Sequence, residues 1–465
     1  MINLYEYQNK VSYTDTDYAL ESFLDEIWNN RESVTHWNAE DDVRRSQTQR
    51  YIQFFHKTNE IKSNKYVGVI HCNGKTINLL PKIFYTPDTI HNDTNLQAMQ
   101  CHILWWLSYS NRIKLPKYAT SLHSLKGSFF EILIYLFAKY TSELLSTSIY
   151  QHYESTEDEL TYIKGRINTS QYIRENVARG RWHKINCSYE LFTFDTLFNK
   201  IIKYVATLLY NQSENAENKT MLRTILFILD DVELQRVTVE DCNRIRFNQM
   251  FSEFEMVLDY CKLFLQNSIS FNYKNDLKLF AFLVPMEKLF EEFVCGFIKK
   301  HIPEVSVKAQ TTSVFLAENN IFNLRPDLVI TADSHTMIVD TKYKIVYSDV
   351  NDPQKGVSQN DLYQMAAYAI RFKCTSIILL YPSTIQCTKN LADSIIIRDE
   401  LAHGKLITVS LHQLPIINHE LLANENILKQ KVRLEDLFDN TTNNLKNILS
   451  KIFSDVLFDI TLSDI

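Results

Sequence analysis

Residues 324–344 read Leu-Arg-Pro-Asp-Leu-Val-Ile-Thr-Ala-Asp-Ser-His-Thr-Met-Ile-Val-Asp-Thr-Lys-Tyr-Lys. Two apolar runs flank a polar turn, the pattern of a β-hairpin. Side chains alternate along a strand, so Asp340 and Lys342 share one face and Thr341 takes the other. A turn centred between Asp333 and Ser334 sets Asp327 directly across from Asp340. Two facing carboxylates among Leu328, Val329, Ile330, Ile338 and Val339 repel each other. A cation between them removes the conflict, and a lysine beside it gives the outline of a divalent-metal phosphodiesterase site.

Hydrolysing a DNA phosphodiester requires an activated water, neutralised phosphate charge and a stabilised leaving oxygen. Mg²⁺ serves all three needs where hard oxygen ligands leave coordination positions open, and Mn²⁺ can substitute. Asp327, Asp340 and the backbone carbonyl of Thr341 are the expected ligands. Lys342 would orient the water or stabilise the phosphate charge, and would act as a base only with a depressed pKa. The plain alternative is a hairpin in which Asp340 and Lys342 form a salt bridge.

Composition narrows the surroundings. At 465 residues the chain has room for two or three domains. Its net charge of −6 excludes a polycationic DNA coat, though a local basic groove or a partner can supply phosphate affinity. Only 8 glycines occur and no nucleotide-binding loop pattern appears, so nucleotide chemistry would have to come from a partner. The 8 cysteines form no Cys-x-x-Cys pair. With no signal peptide and no long apolar run, the expectation is a reduced, cytoplasmic protein with no membrane association.

The expected architecture is mixed α/β, an α+β multidomain chain. Residues 1–150 form a β-containing N-terminal domain with a hairpin around Asn73-Gly74. Residues 151–275 are a mostly helical middle region, 276–420 a C-terminal domain ordered αβββαβ, and 421–465 a helical tail. Met286–Lys300 reads as an amphipathic helix with Leu289, Phe290, Phe293, Val294 and Phe297 inward. A second helix spans about Gln359 to Phe372, started by Ser358 with Asp361 three residues on, and a buried strand follows at Ser376–Leu380.

Pro326-Asp327 with Asp340-x-Lys342 in that frame resembles the PD-(D/E)xK nuclease superfamily. Arg325-Pro326-Asp327, Asp340-Thr341-Lys342-Tyr343-Lys344 and Asp361-Leu362-Tyr363-Gln364-Met365-Ala366-Ala367-Tyr368-Ala369 together resemble the McrC family, nuclease subunits of McrBC-type and LlaJI-type restriction systems. Gln364 and Tyr368, one helical turn apart, match a Gln-x-x-x-Tyr element that some superfamily members set against the metal and the DNA strand. Glu291 is similar to the first-helix acidic position, a further metal ligand; Glu287 competes for that role. Leu80-Pro81-Lys82-Ile83 resembles the amino-terminal "PKI" segment, and Lys164-Gly165-Arg166-Ile167, Cys187-x-Tyr189-Glu190 and Asn199 the middle region.

The resemblance implies a Mg²⁺-dependent DNA endonuclease subunit of an antiviral restriction system. It would work with a McrB-like AAA+ GTPase hexamer, stimulate its hydrolysis, and meet GTP only through that partner. Arg112, Lys114, Lys117, Lys164, Arg166, Arg174, Arg179 and Arg181 are candidates for motor or DNA contact. Two alternatives stand beside it: a structural activator of the motor with little nuclease activity, and a stand-alone DNA repair nuclease.

Overall fold

The computed structural model describes residues 2–13, 20–22, 24–25, 51–72, 75–86, 93–110, 129–266, 279–309, 314–317, 319, 321–332, 335–346, 354, 357–386, 392–399, 405–424, 427 and 433–463. The Asn73-Gly74 and Asp333-Ser334 turns, and Arg112, Lys114 and Lys117, lie outside them. The chain divides into two compact units, Met1–Ile132 with Lys278–Ile465, and Leu133–Leu277.

The first unit opens with β1 (Ile2–Tyr5), β2 (Lys10–Ser12), β3 (Ile52–Phe55), β4 (Glu60–Ser63), β5 (Tyr66–Cys72) and β6 (Lys75–Leu80). Helix α1 (Asp93–Tyr109) follows, and α2 (Phe129–Thr147) starts at the end of this stretch and lies mostly in the second unit. In the second unit, β7 (His152–Leu160), β8 (Arg166–Ile167), α3 (Thr169–Glu175) and β9 (Ile185–Thr193) precede α4 (Leu197–Gln212), α5 (Ala216–Ile228), α6 (Val239–Arg244) and α7 (Phe254–Gln266). The three strands form a sheet of order β7-β9-β8. It occupies a stretch expected to be mostly helical. Strands β7 and β9 carry polar or half-exposed residues on both faces, so no period-2 apolar signal marks them.

The chain then returns to the first unit with β10 (Leu279–Pro285) and α8 (Met286–His301). Strands β11 (Ser306–Ala309), β12 (Val314–Phe315), β13 (Asn323–Leu324), β14 (Leu328–Ala332) and β15 (His335–Thr341) lead to α9 (Gln359–Phe372) and β16 (Ser376–Pro382). Strands β17 (Ala392–Asp399) and β18 (Lys405–Leu414) follow, then α10 (His419–Ala423), α11 (Leu434–Leu437) and α12 (Asp439–Ser463). β10 completes a sheet of order β1-β6-β5-β10, and a larger sheet has the order β11-β14-β15-β16-β18-β17.

The expected hairpin register is the observed one, since Leu328 pairs with Val339 and Thr331 with Thr336. β15 runs parallel to β16, and β16 parallel to β18. Every residue of β16 is buried, as a central parallel strand covered on both faces requires. One cover is α9, whose Met365, Tyr368 and Ala369 join Ile338, Ile377, Leu379 and Leu411 in a common core. The Ser358 hydroxyl accepts the Asp361 amide at 3.3 Å and fixes where α9 begins.

The inward face expected of α8 is buried from Leu289 to Ile298. It meets α1 at Gly296, where a Cβ would stand 2.0 Å from the Tyr109 carbonyl oxygen. Trp105 of α1 stacks on Phe438 at 4.6 Å between ring centres and touches Phe293 at 5.0 Å, which ties the tail to the same core. Gly296→Ala should therefore lower the free energy of unfolding by about 1–3 kcal/mol. Urea denaturation checks this; an unchanged midpoint would mean that the helices can part without loss.

Candidate metal and nucleic-acid site

A cavity of about 850 Å³ in the first unit is lined by Asp327, Asp340, Thr341, Lys342 and Gln364, with Glu287, Lys288, Glu291, Lys344 and Asp361 around them. The residues come from the end of β15, the segment before β14, and helices α8 and α9.

Asp340 shares the parity of Ile338, whose side chain lies in the core with α9, and is 1% exposed. Burial, and next the charge of Asp327, push its carboxyl up to about 7 against the pull of Lys342. The Lys342 ammonium lies 2.6 Å from Asp340 Oδ2. Burial works against the Lys342 charge, but pairing with Asp340 outweighs it and the ammonium is held above its ordinary value. Lys342 is therefore a cation here, which suits charge stabilisation and not general-base work.

Asp327 lies one residue ahead of β14. Its Oδ2 accepts from the Thr341 amide at 2.8 Å and the Thr341 hydroxyl at 2.6 Å, so it is locked to the strand opposite, with Oδ1 outside both bonds. A hydrogen-bonded chain runs on from Lys342, which donates to Gln364 Oε1 at 3.1 Å. Gln364 Nε2 donates to the Tyr368 hydroxyl at 2.7 Å, and that hydroxyl donates to the Arg325 carbonyl at 2.9 Å. The chain closes two residues from Asp327. Tyr368 is 2% exposed and stands behind Gln364, not on the cavity wall.

The donor set suits a hard divalent cation. Asp340 Oδ2 is buried with no hydrogen-bond partner of good geometry, only the ion pair to Lys342. Two carboxylates and a backbone carbonyl leave positions for water and phosphate, the arrangement Mg²⁺ favours. Among the described residues no three His, Cys, Asp or Glu side chains converge as a ready-made cluster. Glu291 lines the cavity, but both its oxygens accept from Lys288, at 2.9 and 2.8 Å. Glu287 lines the cavity too, one turn earlier on α8.

Two further contacts brace the segment that follows Lys342. Lys344 pairs with Asp361 at 2.6 Å and joins the segment that follows β15 to the first turn of α9. Burial alone would raise the Asp361 carboxyl, yet Lys344 and Ser358 hold it below its usual range. Lys82 donates to the Tyr343 carbonyl at 2.9 Å. The i, i+4 spacing of a residue pair foretells the Gln364–Tyr368 contact, but no local pattern foretells these longer ones.

In the second unit, Lys164 sits 3.8 Å from the centre of the Tyr189 ring, Arg174 pairs with Glu175 at 3.1 Å, and Arg181 donates to the Glu175 carbonyl at 3.2 Å. Arg166 lies on β8, and Arg179 in the turn that Gly180 closes with φ 70°. Around them Tyr162, Ile163 and Trp182 are 60–69% exposed. No helix among the described residues is long and apolar enough to cross a membrane.

No curated protein matches the chain. Among solved structures, a refined half-complex from a tetradecameric assembly of Thermococcus gammatolerans McrB AAA+ hexamers with bound McrC is similar at a TM-score of 0.68 and 16% identity, over 97% of this chain and 99% of that one. A cryo-EM structure of the Thermococcus gammatolerans McrBC complex aligns at a TM-score of 0.49 and 19% identity, over 65% of this chain and 88% of that one. At such identity the first likeness is one of fold. The model of the family described as McrBC 5-methylcytosine restriction system component matches residues 61–382, more than half of the 465. The chain therefore belongs to the McrBC 5-methylcytosine restriction system component family.

Proposed function

We propose that this chain is the DNA-cutting subunit of a McrBC-like restriction system, a Mg²⁺-dependent endonuclease. The observation that carries the reading is the meeting of Asp327, Asp340 and Lys342 in one polar cavity, with the Asp340 carboxylate buried beside a second acid. An inert hairpin has no use for that repulsion.

Asp327 Oδ1, Asp340 and the Thr341 carbonyl would hold the ion. When bound, Mg²⁺ supplies Lewis-acid polarisation of the phosphate and a more acidic water. Lys342, protonated, orients that water or meets the charge that builds on the phosphate. Gln364 fixes the Lys342 head, and Tyr368 fixes Gln364. Gln364→Leu removes the acceptor from Lys342 and the donor to Tyr368. It should slow single-turnover cleavage about 10–100-fold with DNA affinity unchanged; an equal rate would remove Gln364 from the machinery.

The chain carries no nucleotide-binding loop pattern, and a structure of like fold contains McrB AAA+ hexamers with bound McrC. We read this chain, too, as acting with a McrB-like AAA+ GTPase hexamer and stimulating its hydrolysis. The exposed Tyr162, Ile163 and Trp182, set among basic side chains, supply a face of the kind that partners cover.

The test combines the purified chain, a McrB-like hexamer, GTP and plasmid DNA with and without cytosine methylation. Cutting with Mg²⁺ and GTP, lost with EDTA or without GTP, is the expected result. Cutting by the chain alone with Mg²⁺ would favour the stand-alone repair nuclease. Stimulated GTP hydrolysis with intact DNA throughout would favour the structural activator.

A further inference from the structure

The Pro81-Lys82-Ile83 segment leaves β6 as a short 3-10 turn with Ile83 and Phe84 buried. Its lysine crosses to the larger sheet of the same unit. Besides its bond to the Tyr343 carbonyl, Lys82 Nζ lies 4.5 Å from the centre of the Tyr343 ring. Glu6 Oε1 stands 3.9 Å away from it, with the Glu6 side chain wholly buried and that of Lys82 12% exposed. The carbonyl of Ile83 accepts from the Ile385 amide at 3.1 Å, just past the end of β16. One three-residue turn thus holds the exits of both β15 and β16. Of these, β15 leads directly into Lys342.

Stability alone is a poor reason for such a pair. Taking an ammonium and a carboxyl out of water offsets most of what their attraction gains, and apolar residues of similar size would hold the segments together as well. The pair supplies direction instead. The ammonium is aimed at one carbonyl, that of the residue following Lys342, with Glu6 Oε1 beside it at 3.9 Å.

We propose that Lys82, held by Glu6, is a positioning residue for the candidate nuclease centre. It fixes the Tyr343 carbonyl, one peptide beyond Lys342, and thereby the placement of the Thr341 carbonyl and the Lys342 ammonium against Asp327 and Asp340. The inference rests on the metal-nuclease reading above and gives the Pro-Lys-Ile turn a task in it. Supporting groups of this kind tune metal affinity without touching the ion.

Calorimetric titration of the full-length chain with MnCl₂ tests this, comparing wild type with Lys82→Met, Lys82→Arg and the double variant Glu6→Gln/Lys82→Met, which leaves no unpaired buried carboxylate. Circular dichroism and melting curves report the fold alongside. Lys82→Met and the double variant should remain folded and bind Mn²⁺ about 10–100-fold more weakly. Lys82→Arg, which keeps a charged donor, should recover most of the affinity, a rescue that general packing would not give. Wild-type affinity in the folded Met variants would overturn the inference alone. Loss of folding in both would overturn it as well, because Lys82 would then hold the fold and not the site. A wild-type chain that takes up no Mn²⁺ would refute the metal reading and this inference with it.

Discussion

Asp340→Ala should abolish DNA cleavage, by at least about a thousandfold, while GTP hydrolysis by the partner remains stimulated. The metal's stabilisation of the transition state is worth several kcal/mol, and each 1.36 kcal/mol is a factor of ten. Asp340 is the most buried of the proposed ligands and the one that Lys342 faces. Its loss should not unfold the protein. Burial and Asp327 already raise its carboxyl to about 7, so a neutral side chain relieves repulsion in the metal-free chain. Lys342 would still have Gln364 as an acceptor. Asp340→Asn, of nearly the same shape, should be as inactive, which separates charge from packing. Supercoiled plasmid cleavage and a phosphate-release assay on the same samples give the two readouts. A cutting Asp340→Ala variant would end the nuclease assignment, and loss of GTP stimulation with a folded chain would mean that the cavity serves the motor.

The second large effect is on stability and comes from Glu6. Burial raises its carboxyl from 4.5 to about 8, only partly countered by Lys82. A folded pKa above the unfolded one means that the folded state binds the extra proton. The associated stability is complete below about 4.5, falls as pH rises through the interval, and is gone above about 8. At about 1.4 kcal/mol per unit this amounts to roughly 3–5 kcal/mol before relaxation. Glu6→Gln has no such proton to lose. Urea denaturation of wild type and Glu6→Gln between pH 4.5 and pH 8.5 should give curves that diverge as pH rises, the variant losing less. Parallel curves would mean that Glu6 is ionised throughout and well solvated by Lys82.

The hairpin register was legible because alternation and a polar turn constrain it from both sides: a slip of one residue would turn Ile338 and Asp340 to the wrong face. The inner face of α8 and the Gln364–Tyr368 contact were legible for a similar reason, as products of helical periodicity. Strands β7 and β9 were not. Their faces are both half-exposed, and the apolar residues they show to solvent, such as Tyr153 and Phe192, carry no period-2 signal. β17 was also not anticipated, for Ile395 to Ile397 form an apolar run too short to tell strand from helix, whereas β18 alternates Ile407, Val409 and Leu411 with polar residues, a signal that could have found it. Glu291 shows another limit. Its place on α8 was readable, but its bonds to Lys288 depend on rotamers that sequence does not specify. The contact of Lys82 with Tyr343 joins residues 261 apart in the chain, beyond the reach of any local pattern.

In the proposed site Asp327 and Asp340 share a divalent metal ion. Anomalous diffraction from crystals of the full-length chain soaked in Mn²⁺ tests it most directly. A shared ion gives a strong peak within coordinating distance of both carboxylates and the Thr341 carbonyl, with Lys342 withdrawn from Asp340 toward Gln364. No peak at that position under saturating Mn²⁺, with Lys342 still paired to Asp340, would contradict it.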